Sequence, residues 1–123
     1  MLAVLIAMRV IAFLPLILLI YGCGFLNQTY EVKDVTKKET IKLKKAPGEG
    51  NIHTLSISVS GNIDGTAEIS LILKGKPYKS EAISGAFNFK WNGDWYSNEA
   101  VVLYSPNTVS KGTMTLRYKF HDA

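Results

Sequence analysis

Trp91-Asn92-Gly93-Asp94-Trp95-Tyr96 is the densest run of side chains in the chain that could do chemistry. It holds both tryptophans, a tyrosine, a carboxylate and an amide. Aromatic rings in and beside a turn can form a stacking platform for a sugar or a peptide, with Asn92 and Asp94 supplying hydrogen bonds. Asn92, Asp94, Trp95 and Tyr96 are therefore the candidate ligand-binding residues. The competing expectation is packing: Trp91 would continue the apolar face of Phe87 and Phe89, and Trp95 would plug one end of the domain.

The remaining inventory is thin. Asp64 and Asp94 each stand in a Gly-flanked turn, and one carboxylate per turn is fewer oxygens than calcium needs. Turn capping is the simpler role for both. His53 opens one strand-like segment and His121 closes another, positions that suit solvated or capping residues. Gly-x-Ser-x-Gly, His-Glu-x-x-His, the phosphate-binding loop and the dinucleotide fingerprint are all absent from the sequence. A serine–histidine pair could arise only through the fold. The one cysteine excludes an internal disulfide framework and a multi-cysteine zinc site. No catalytic residue, metal or cofactor is expected.

The elements that must position these residues read as strand after strand. From Ile52 to Ser60, Leu55, Ile57 and Val59 alternate with Ser56, Ser58 and Ser60, a period of two. Gly61-Asn-Ile-Asp-Gly65 reads as a hairpin connection. Alternation resumes over Thr66–Lys74, with Ala67, Ile69, Leu71 and Leu73 on one face. Gly75-Lys-Pro77 turns, Tyr78–Ile83 is a weaker strand, and Ala86–Trp91 places Phe87, Phe89 and Trp91 together. Asn92-Gly-Asp94 reads as a turn, Ala100–Tyr104 as an apolar strand, and Thr113–His121 as a last strand with Met114, Leu116, Tyr118 and Phe120 inward. Seven to nine short strands without an amphipathic helix predict an all-β domain, an antiparallel β-sandwich of jelly-roll type, over residues 39–123.

Charge divides the chain sharply. It has 123 residues with 14 Lys+Arg against 10 Asp+Glu, net +4. Arg9 is the only charged residue up to Leu26. Residues 23–38 are expected to act as a tether, and the lysines between Lys33 and Lys45 have two roles open to them. They could meet anionic lipid headgroups, or guard an edge strand over Glu39–Lys45, where Ile41 and Leu43 alternate with lysines.

Arg9 precedes an apolar stretch, Val10–Ile20, of 11 residues. That is well short of the ~20 residues a spanning helix needs and suits a secretory signal. Ile20-Tyr21-Gly22-Cys23 follows, and it resembles the lipobox of bacterial lipoproteins, with Tyr21 standing where a small residue is usual. Met8 offers an alternative start immediately before the arginine. The resemblance implies cleavage after residue 22, acylation of Cys23 and anchoring in the cell envelope. With Gly24 rather than Asp after the cysteine, it implies the outer membrane if the host has two membranes. An uncleaved anchor and ordinary secretion are the other readings of the segment.

The expected function is thus a small non-catalytic lipoprotein displaying a β-domain in the periplasm or at the cell surface. Its partners are the membrane, through acylated Cys23, and an unknown envelope protein or glycan, with no nucleic acid. A lipid-tethered inhibitor or immunity protein and a carbohydrate-binding module are the alternatives.

Overall fold

Leu55, Ile57, Val59, Ile63, Ala67, Ile69 and Leu71 are all buried, and all are odd-numbered. One face of a continuous strand therefore stays inside for its whole length. The computed structural model describes residues 27–122, and in it this strand, β3, runs unbroken over Ile52–Leu73. The other strands are β1 (Gln28–Glu31), β2 (Glu39–Lys44), β4 (Lys76–Asp94), β5 (Glu99–Pro106) and β6 (Gly112–Asp122). The fold is all-β. All pairings are antiparallel, in the order β1-β6-β3-β5-β2, with β4 on the other side of β3.

β3 and β4 form one long hairpin. Its turn is Lys74-Gly75, with φ of 53° and 76°, and Leu73 pairs with Lys76 across it. Two central residues with positive φ match the twist of the flanking strands. On the opposite side of β3, β6 pairs with residues 52–63 and β5 with residues 67–72. The junction is a bend. Asp64 and Gly65 have no partner in β4, where Ile63 pairs with Gly85 and Thr66 with Ser84. Two extra residues preserve the inward parity while increasing the local twist. The sheet thus curls, and its two halves turn the same face to one core.

The bend is held from outside. The amides of Asn107 and Thr108 donate to Thr66 O at 2.9 and 3.2 Å. Asp64 accepts from the amides of Ser110 and Lys111 at 2.9 and 3.1 Å, and from the Ser110 hydroxyl. These bonds hold its carboxyl down at about 2. Asp64 therefore caps a turn, but the turn belongs to the β5–β6 connection rather than to its own segment.

Six strands are seen among the described residues where seven to nine were expected. Gly61–Gly65 does not turn, and Tyr78–Ile83 and Ala86–Trp91 are both parts of β4. Gly61 is needed for contact: a Cβ there would lie 2.2 Å from Thr113 O. The ordered domain also begins earlier than residue 39. Gln28–Glu31, within the expected tether, is β1 and pairs with β6. Tyr30 inside it donates to the Glu39 carboxylate, a bond that raises the phenol to about 12, with burial and the Glu39 charge adding to it. β2 is an edge strand with Ile41 and Leu43 buried and Lys42 and Lys44 outward, the arrangement of a guarded edge. Leu73, expected inside, is exposed at the hairpin tip. The segment up to Leu26, with the expected signal peptide and Cys23, lies outside the described residues.

Candidate functional site

The aromatic run does not assemble into a platform. Asn92-Gly-Asp94 is strand, not turn: Asn92, Gly93 and Asp94 pair with Ser56, Leu55 and Thr54. Trp91 is 9% exposed and Trp95 6%, both within the core. The Trp95 indole N–H donates to Glu99 O at 2.9 Å, and its amide donates to His53 O at 3.0 Å. Tyr96, 76% exposed, stands edge-on to His53 at 6.2 Å. Asn92 and Asp94, at even positions, lie on the outer face of β4, and with Trp91 and Trp95 they border a cavity of only about 10 Å³. Tyr96 stands apart from the other three candidates, and the space between those three is too small for a ligand.

Asn92 belongs to a different constellation. The outer face of the first half-sheet has β3 at its centre, carrying Ser56, Ser58 and Ser60 on alternate residues. In register on β6 stand Lys119, Arg117 and Thr115; on β4 stand Asn92, Lys90 and Asn88. Serines about 7 Å apart make a low floor, and longer side chains rise on both sides. The result is a concavity of about 370 Å³ lined by Asn27, the three serines, Asn88, Lys90 and Arg117.

One end of this trough is fixed by a bridge across three strands. The Ser56 hydroxyl donates to Asn92 Oδ1 at 2.7 Å and lies 3.1 Å from His121 Nε2. The role of His121 Nε2 in this contact follows its tautomer. A serine nucleophile needs a base that accepts its proton, and here that proton goes to the amide oxygen of Asn92. The N–H groups of β3 are also spent in the ladders to β4 and β6, so they offer no paired amides to an oxyanion. The bridge acts as a wall.

The charge in the trough is positive at its middle. Among the described residues the only ion pair is Lys119–Glu49 at 3.6 Å. Arg117 and Lys90, which flank Ser58, have no carboxylate partner there. Glu31 and Asp94 sit at opposite corners of the face, on β1 and β4. Among the described residues no three His, Cys, Asp or Glu side chains gather as a metal ion would require.

The serines were legible as the outer face of a strand, but Arg117, Lys90 and His121 were not legible as their neighbours. Only strand register brings residues 58, 90 and 117 side by side, and no local spacing encodes that.

No known protein-family model matches the chain, and no curated protein matches it in sequence. Among solved structures it is similar to the crystal structure of PirA, with a TM-score of 0.45 and 10% identity over 77% of this chain and 93% of that one. A de novo designed double-stranded beta-helix follows, with a TM-score of 0.38 and 14% identity over 77% and 97%. The carbohydrate-binding module CBM36, in complex with calcium and xylotriose, gives 0.35 and 10% over 74% and 85%. At these scores and identities the likenesses carry no ligand or chemistry onto this chain.

Proposed function

We propose that this chain is a small, non-catalytic lipoprotein. Cys23 carries the lipid, and residues 28–122 form a sandwich-like binding module held in the cell envelope. The ligand lies along the trough on β3, β4 and β6. The supporting observation is the pair Arg117 and Lys90, unpartnered on either side of a serine floor with Asn88 and Asn92 at its wall. Cations, hydroxyls and amides together suit an anionic, hydroxyl-bearing ligand. A sugar held here would be bound by hydrogen bonds and charge rather than by ring stacking, because Trp91 and Trp95 are buried.

A photo-crosslinking amino acid at Ser58, in the full chain expressed in its own envelope, tests this reading. Crosslinked product is expected, and it should fall sharply in Lys90→Gln/Arg117→Gln. Equal yields from Ser58 and from Ser105, on the outer face of the other half-sheet, would reject the trough as the binding face.

A further inference from the structure

Asn27 lines the trough, and it is four residues from Cys23. A fully extended chain covers at most about 3.6 Å per residue. The corner of the domain at Asn27 can therefore stand no more than about 14 Å from an acylated Cys23, whatever path the chain takes. This bound rests on lipidation as proposed above. The corner therefore stays near the bilayer, and one of the surfaces meeting there can come to lie against it.

Charge distinguishes those surfaces. The end of the domain beside Asn27 carries Glu49 and Asp122 against Lys45, and Gly50 N donates to Asp122 there at 2.8 Å. An anionic lipid surface would repel that end. The trough face, which shares the corner, carries Arg117 and Lys90 without partners at its middle, Lys119 paired with Glu49, and Glu31 and Asp94 only at its far corners. Asn27 itself lines this face. Attraction to anionic lipid is largely screened beyond a Debye length of about 8 Å, so cations must come close to count.

We infer that the trough is a membrane-facing site for anionic phospholipid headgroups. Arg117 and Lys90 take the phosphodiester oxygens from the two sides, and the Ser58 and Ser60 hydroxyls and the Asn88 amide donate to the same group. Arg117 suits the role because its planar fork matches two phosphate oxygens at once. The lipid anchor and the trough then form two independent membrane contacts on one small domain. The domain is held with its β3–β4–β6 face down and its other outer face, with Ser105, toward solvent.

The test uses the purified, lipidated full chain in vesicles of phosphatidylcholine alone or with added phosphatidylglycerol. Acylation of Cys23 leaves no native thiol, so Thr115→Cys, on the trough face beside Ser60, and Ser105→Cys accept a nitroxide at one position each. A nickel-chelating lipid then reports proximity to the headgroups. With phosphatidylglycerol, strong relaxation is expected at Thr115 and little at Ser105. Lys90→Gln and Arg117→Gln should each weaken the Thr115 signal about fivefold, as expected for one cation at an anionic surface, while the protein stays vesicle-bound. Equal relaxation at the two positions, or a Thr115 signal indifferent to phosphatidylglycerol, would overturn the inference on a chain that is still lipidated. Protection of the Thr115 label by a soluble anionic polysaccharide but not by lipid would overturn it in favour of a glycan. A mature chain whose mass lacks acyl groups overturns the anchor, and the membrane placement with it, and is read separately by mass spectrometry.

Discussion

The hydroxyl of Tyr104, on β5, donates at 2.6 Å to the carbonyl of Val35, 69 residues away in the connection between β1 and β2. Both residues are buried. A polar bond in such a place fixes a loop that would otherwise leave a carbonyl unsatisfied over the core. The β1–β2 connection crosses from one half of the curled sheet to the other, so this bond and Tyr30–Glu39 together close that side of the domain. Burial and the nearby Asp34 charge both raise the Tyr104 phenol.

Tyr104→Phe should therefore cost about 1–3 kcal/mol, the penalty for leaving a buried acceptor without its donor. Urea unfolding of the variant measures it. An unchanged midpoint would mean that water replaces the phenol at Val35.

Trp95→Ala should cost about 3–5 kcal/mol, because it empties a buried site and removes the bond to Glu99 O. Tyr96→Ala, one residue on and exposed, should leave the melting temperature nearly unchanged. Thermal unfolding of the two variants side by side checks both. Comparable losses would show that Tyr96 packs as Trp95 does.

Acid should loosen the bend of β3. The Asp64 carboxyl is lowered from 3.8 to about 2 by its bonds to Ser110 and Lys111. A depressed native pKa contributes stability that is present above the ordinary value and is lost as pH falls toward the native one. The contribution should disappear between about pH 4 and pH 2. Asp64→Asn should be less stable at neutral pH and show a flatter acid limb; a limb identical to that of the parent would remove Asp64 from the acid response.

Sequence alone went far with the regular parts of this chain. Ile52–Ser60 and Thr113–His121 alternate without interruption, so their inward residues could be named from the period alone, and Leu55, Ile57, Val59, Met114, Leu116 and Phe120 are buried as that period requires. The glycines misled. Gly61 and Gly65 look like turn residues, yet they serve close approach: a Cβ at Gly65 would fall 1.7 Å from Thr108 O. β1 gave no signal because Gln-Thr-Tyr-Glu lacks an apolar alternation; a four-residue edge strand takes its order from its partner. The candidate site divides likewise. Asn92 was singled out for aromatic neighbours that turn inward, while its actual partner, Ser56, is 36 positions away and meets it only through register, as His121 meets Ser56 from the other side.

The glycines give a direct test. Gly65→Ala should destabilise the domain by at least about 1–3 kcal/mol, since backbone would have to move to admit the methyl group. Gly93→Ala, on β4 with nothing within 4 Å of the added carbon, should be neutral or slightly stabilising. Denaturant midpoints of the two variants check this. Similar losses at both positions would show that the cost at Gly65 is not one of contact.

Cys23→Ser should abolish incorporation of radiolabelled palmitate and leave the precursor unprocessed. Gel mobility and labelling in the native host read both effects. Labelled Cys23→Ser protein would remove the proposed anchor site.

The β3–β4 hairpin closes at a two-residue turn in the middle of the domain, and every other strand is added outside it. Pairing between segments near in sequence costs the least loop entropy, so the order of assembly runs outward from Lys74-Gly75. β5 and β6 add to that hairpin, and β1, the first of the described strands, pairs with residues 115–118 of β6, the last of them. The described strand nearest the proposed anchor thus finds its partner only once β6 is in place.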